Sequence, residues 1–176
     1  NKKGHLNNIH EHPNSVGYFL DRNTEIKSLV DIGSGTGWFV NYVSQNYPII
    51  ENMYAIEPSK AAVKISQKIY PNDTKIKYKN GFAHIELKNL QKDLYLITTF
   101  AVFLHLNFYY TKKILKILDN KLEKNSILIL KEPIAANKYL RFNLHYPRLR
   151  KFWIKNLKNF DVDFFNENLI VARKVV

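Results

Sequence analysis

The chain has no cysteine among its 176 residues. That excludes a disulfide framework, a thiolate metal site and a cysteine nucleophile, and it fits a reducing, cytoplasmic setting. No apolar run reaches the roughly 20 residues that a membrane-crossing helix needs, and no secretory leader is visible. Arginine is scarce, with 5 residues against 22 lysines. Glycine is scarce as well, only 6 residues, yet Gly33, Gly35 and Gly37 fall together in "LVDIGSGTGWFV". The chain opens on Asn1 and not on Met, which leaves room for a segment ahead of it.

What is present describes a globular protein. Hydrophobic residues make up 45% and aromatic residues 14%, enough for one domain over 1–176 with a real core. The formal charge is +12, which asks for an anionic partner. Lysine, asparagine and isoleucine are spread along the chain with no arginine-rich face. That pattern favours a small anionic molecule over nucleic acid, which stays possible.

Apolar runs alternate with helical patterns. "IKSLVDIG", "ENMYAIEPS", "TKIKYKNG", "DLYLITTF" and "NSILILKEP" read as strands. Between them, Gly37 to Tyr47 reads as a helix with Phe39, Val40, Val43 and Tyr47 on one side. Ser59 to Ile69 reads as another, with Ala62, Ile65 and Ile69 on its stripe. A third runs from Thr111 to Lys121, turning Ile114, Leu115, Leu118 and Leu122 inward. "FDVDFF" and "NLIVARK" close the chain as an antiparallel hairpin. The expected fold is α/β, a mostly parallel sheet with helices on both faces.

A glycine-rich loop after the first strand of such a sheet sits where ligands bind. The glycines let backbone approach a ligand, and the next helix start favours an anionic group. Glu57 ends the second strand and can accept both hydroxyls of a ribose. The spacing is G-x-G-x-G, not the dinucleotide G-x-G-x-x-G. Asp31 just before it would repel a pyrophosphate and suits a cationic centre. A nicotinamide-dependent reading is therefore disfavoured.

"VDIGSGTG" resembles the first motif of class I S-adenosylmethionine (SAM)-dependent methyltransferases. "AIEPS", "NGFAHIEL", "DLYLITTFAVFLHL" and the terminal hairpin resemble their later elements, in order, over nearly the whole chain. The resemblance implies a Rossmann-like, seven-stranded fold that binds SAM and releases S-adenosylhomocysteine. It implies cofactor contacts from Asp31, Gly33, Ser34, Gly35, Gly37, Glu57, Pro58, Phe82, Ala83 and Thr99. Phe82 departs from the family's common acidic residue, which accepts from the adenine amine.

For catalysis, His105 in "FLHL" and Glu132 in "LKEP" are the candidates. Each can act as a base near the ligand edge, or simply cap and pack. Residues 1–24 are expected to form a lid, with His12, Ser15 and Tyr18 over the acceptor. Residues 134–159 are expected to flank it, with Arg141, His145 and Arg148 placed to hold an anionic group. "HEH" at residues 10–12 lacks a third ligand at a recognisable spacing, so no metal is expected. The leading reading is O-methylation of a sugar, or of a phosphorylated or nucleotide-linked precursor of a surface polysaccharide. The alternatives are an RNA or protein methyltransferase, and a degenerate SAM-binding partner subunit.

Overall fold

The computed structural model describes residues 12–71, 73–135 and 147–176, with side chains from residue 16 onward. Seven strands form one sheet: β1 (Ser28–Ile32), β2 (Asn52–Glu57), β3 (Ile76–Asn80), β4 (Tyr95–Phe100), β5 (Ile127–Lys131), β6 (Phe160–Phe164) and β7 (Leu169–Lys174). Their order is β3-β2-β1-β4-β5-β7-β6. β1 to β5 run parallel, and β7 is antiparallel to both β5 and β6. The helices are α1 (His12–Leu20), α2 (Trp38–Asn46), α3 (Lys60–Ile69), α4 (Ala83–Glu86), α5 (Phe108–Lys121) and α6 (Arg150–Asn156). None is long and apolar enough to cross a membrane among the described residues.

The alternation of side chains on the strands divides the core in two. Leu29, Met53, Leu96, Ile127 and Ile129 pack under α1 and α2, against Val16, Leu20, Phe39, Val40 and Val43. Val30, Ile32, Ile97, Leu128 and Leu130 pack under α5 and α6, against Ile114, Leu115, Leu118 and Trp153. The central strands are covered on both faces, which is why they read as unbroken apolar runs. From β1 the chain moves outward to β2 and β3 and then returns to β4. The strand order therefore reverses between β1 and β4, and their carboxyl ends open a crevice there.

Two helices differ from the expected pattern. α5 begins at Phe108, three residues before Thr111, because Asn107 caps it by accepting from the Tyr110 N–H at 3.0 Å. α3 is rotated: Val63 and Ser66 are its buried residues, while Ile65 and Ile69 are 46% and 55% exposed. The cause is the glycine loop. A Cβ on Gly37 would stand 3.1 Å from the Ser66 side chain, so the helix turns its small residue toward the loop.

Candidate active site

The loop between β1 and α2 holds three consecutive odd-numbered glycines in the left-handed region, Gly33 at φ 75°, Gly35 at φ 53° and Gly37 at φ 77°. Gly33 N–H and Ser34 N–H both donate to Ile56 O, at 2.8 and 3.1 Å, which ties the loop to β2. A Cβ on Gly33 would fall on Val102, whereas one on Gly35 meets nothing within 4 Å. Gly33 is needed for packing, then, and Gly35 faces open space. Ser34 Oγ is buried and has no hydrogen-bond partner among the described residues. An open cradle beside an orphaned hydroxyl is what a site for a polar ligand leaves when only protein atoms are present.

Two carboxylates flank this cradle. Asp31, on β1, is 4% exposed, and its Oδ1 accepts from Thr98 Oγ1 at 2.7 Å. Burial pushes its pKa up to about 7, opposed by the Thr98 hydrogen bond and reinforced by the charge of Glu57. A cation beside Asp31 would favour the ionised form. Glu57, at the end of β2, accepts from Gly35 N–H at 2.9 Å and from Ser59 N–H at 2.8 Å, one on each oxygen. Each oxygen keeps a lone pair for a further donor, such as a ribose hydroxyl. A cation-seeking acid, a hydroxyl-accepting acid and a glycine cradle between them fit an amino acid joined to a nucleoside. SAM has that constitution.

Beyond β3, Phe82 caps α4 with its ring 58% exposed. Ala83 is half-buried and Pro58 is exposed at the turn after Glu57. Phe82, His84 and Tyr110 follow one another at ring separations of 5.9 and 4.7 Å.

The segment after β4 carries the catalytic candidate. His105 ends a short 3-10 turn, Phe103–His105, that follows β4, and is exposed. Glu132 lies directly behind this segment and is 1% exposed. Its Oε1 accepts from Thr99 Oγ1 at 2.9 Å and Val102 N–H at 2.8 Å, and its Oε2 from Leu104 N–H at 3.2 Å. Burial raises its pKa, and these donors pull it back down. The carboxylate is thus spent on the backbone of the turn, which makes it a positioning group and not an open base. Thr99 differs from its expected place for the same reason: its side chain is fully buried and donates to Glu132, so it does not reach the cradle.

Arg148 also departs from expectation. It is 1% exposed, and its guanidinium donates to Phe103 O at 2.6 Å, to Thr111 Oγ1 at 2.7 Å and to Leu106 O. It also lies 4.9 Å over the Phe108 ring. A side chain so engaged does not present a fork to an acceptor. Its backbone meets the stretch that follows β5, since Ala135 N–H donates to Arg148 O at 2.9 Å. Tyr18 on α1 is half-buried with the Arg22 guanidinium 3.9 Å over its ring. Arg141 and His145, together with His10 and Glu11, lie outside the described residues, as do the side chains of His12 and Ser15.

Three groups at the site escaped the sequence reading. Ser66 seats the glycine loop, its Oγ lying 3.3 Å from Gly35 O. Thr98 holds Asp31. Phe100, 52% exposed at the end of β4, carries Lys131 Nζ 4.8 Å from its ring centre. Only the last had a visible signal, as an aromatic residue ending an otherwise buried strand.

Residues 9–167 match the family described as "Methyltransferase domain". No protein of curated function matches the sequence. Solved structures share the fold at low identity. SAM-bound CalS10 of Micromonospora echinaspora, an amino pentose methyltransferase, superposes with a TM-score of 0.74 at 11% identity, over 99% of this chain and 94% of its own. Streptomyces venezuelae DesVI gives 0.71 at 10% identity, over 93% and 90%. The mitomycin 7-O-methyltransferase MmcR gives 0.68 at 11% identity over 87% of this chain, which spans 50% of that enzyme. With the family matched over residues 9–167, and with a crevice whose acids and glycines suit SAM, this chain belongs to the methyltransferase-domain family and is a SAM-dependent methyltransferase.

Proposed function

We propose that the acceptor is a small anionic molecule methylated on oxygen, a sugar bearing a phosphate or a nucleotide, of the kind used to build a surface polysaccharide. The observation that carries this reading is the pairing of Phe100 with Lys131 at the crevice. An exposed ring suits the apolar face of a sugar, and an ammonium beside it suits a phosphate. CalS10 is an amino pentose methyltransferase, which agrees with a sugar as acceptor.

SAM supplies a methyl group already activated on a sulfonium centre. The protein's part is then positioning, water exclusion and removal of the acceptor's proton. Gly33, Gly35, Gly37 and Ser34 cradle the amino acid portion, Asp31 faces its ammonium and Glu57 takes the ribose hydroxyls. Pro58, Phe82 and Ala83 border the base. His105 accepts the hydroxyl proton as the methyl is transferred, and Glu132 keeps the turn beneath it in place. Tyr18 covers the acceptor from α1.

The test is transfer of labelled methyl from SAM to a panel of sugar phosphates and nucleotide sugars, with RNA and protein substrates beside them. Labelling of a phosphorylated sugar, reduced in Lys131→Ala, is the expected result. Labelling confined to RNA, weakening steeply with salt, would replace this reading with that of an RNA methyltransferase.

A further inference from the structure

Phe82 is the least explained residue at the cofactor end. Glu57 and Asn80 are register partners at the ends of β2 and β3, and Gly81 N–H donates to Glu57 O at 3.1 Å. The chain then turns outward, with Phe82 extended at φ −76° and ψ 137°. Its ring is therefore the first side chain to meet a base attached to a ribose held by Glu57.

Among the described residues, the surroundings offer that base rings but no free carboxylate. Phe82 is 58% exposed and Tyr110 38% exposed, with His84 between them. Partial burial, then the charges of Lys113 and Lys88, hold the His84 pKa below its usual value, and a neutral imidazole presents a donor or an acceptor nitrogen according to its tautomer, so it serves a 6-amino and a 6-oxo group alike. The Asn80 amide is turned inward, donating to Glu57 O at 3.1 Å and Pro58 O at 3.0 Å. The nearest carboxylate, Glu86, folds over Gly81. It lines a separate cavity on the face of β3 that carries Lys77 and Lys79.

We propose that this site reads the purine of its cofactor by stacking and shape, without a carboxylate fixed on the 6-position, and so accepts 6-oxo and N6-substituted purine analogues of the cofactor. The proposal rests on the placement of SAM argued above. The physical ground is an asymmetry in selectivity. A site built to hydrogen-bond a group rejects the analogue that lacks it by large factors, because a buried partner is left unpaired. A ring face leaves no such partner, and stacking tolerates any base. An N6 substituent would project toward the exposed rings of Phe82 and Tyr110.

The experiment is calorimetric titration of the full chain with S-adenosylhomocysteine, S-inosylhomocysteine and N6-benzyl-S-adenosylhomocysteine. Both analogues should bind within about threefold of the parent. Discrimination of more than about thirtyfold against either overturns the proposal. Phe82→Asp installs the missing carboxylate on an exposed position, and it should favour the adenine compound over the inosine one by about tenfold. A variant that discriminates no better than the parent overturns the placement of the base edge at residue 82. Failure of S-adenosylhomocysteine itself to bind would strike the cofactor placement first and separates the two cases.

Discussion

Glu132 and Arg148 grip the same turn from opposite polarities. The carboxylate accepts the N–H groups of Val102 and Leu104, and the guanidinium donates to the carbonyls of Phe103 and Leu106. The turn that presents His105 is therefore held by a buried acid just after β5 and a buried base just before α6. Both charges are nearly sealed from solvent, at 1% exposure each.

Removing either should unfold more than it disarms. Glu132→Ala leaves two N–H groups and a hydroxyl without their acceptor, at a cost of about 3 kcal/mol. Arg148→Met should cost a similar amount, about 3 kcal/mol, by removing the donors to the Phe103 and Leu106 carbonyls and to Thr111 Oγ1. Glu132→Gln, which still accepts, should cost about 1 kcal/mol. Urea denaturation reads all three. Unchanged midpoints would show that the turn does not depend on this pair.

His105 should behave in the opposite way. It is exposed, so His105→Ala should leave both the melting temperature and S-adenosylhomocysteine affinity close to those of the parent. Methyl transfer should fall by about a hundredfold, the usual worth of a positioned general base. Loss of cofactor affinity instead would assign His105 to binding.

Much of the scaffold was legible because its signals are local. Five strands, the glycine spacing and the carboxylate ending β2 lie in short windows, and buried central strands announce themselves as apolar runs. The roles of Glu132 and Arg148 were not legible, because a charged residue defaults to the surface until its partners are known. Those partners lie 28 to 45 positions away in sequence. α3 misled for a related reason. Its isoleucines gave the stronger periodicity, but Ser66 was required against Gly37, and close packing to the loop decided the rotation.

Asp31 ties cofactor affinity to pH. Its pKa in the free protein stands at about 7, above the ordinary 3.8. The raised value means that folding favours the protonated form. Its contribution to stability is present below pH 4 and is lost as pH rises through 7. Asp31→Asn should then be the more stable protein at pH 8, by about 2 kcal/mol, and no more stable at pH 4. On the proposed placement of SAM beside Asp31, binding should run the other way, because an ammonium favours the carboxylate. Affinity for S-adenosylhomocysteine should rise several-fold from pH 6 to pH 8, with proton release visible as a buffer-dependent enthalpy. Asp31→Asn should flatten that dependence.

Gly33 and Gly35 separate packing from binding within one loop. Both lie at positive φ, so alanine at either is strained by roughly 1–2 kcal/mol. At Gly33 the new methyl also falls on Val102, which is held through its own N–H to Glu132. Overpacking there adds about 1–3 kcal/mol, and Gly33→Ala should melt well below the parent. At Gly35 the methyl enters empty space. Gly35→Ala should lose only that strain of roughly 1–2 kcal/mol and yet bind S-adenosylhomocysteine more than about tenfold worse, because one methyl group in a fitted cradle costs over 1 kcal/mol. Equal affinity in Gly35→Ala would mean that the space beside residue 35 is not where the cofactor lies.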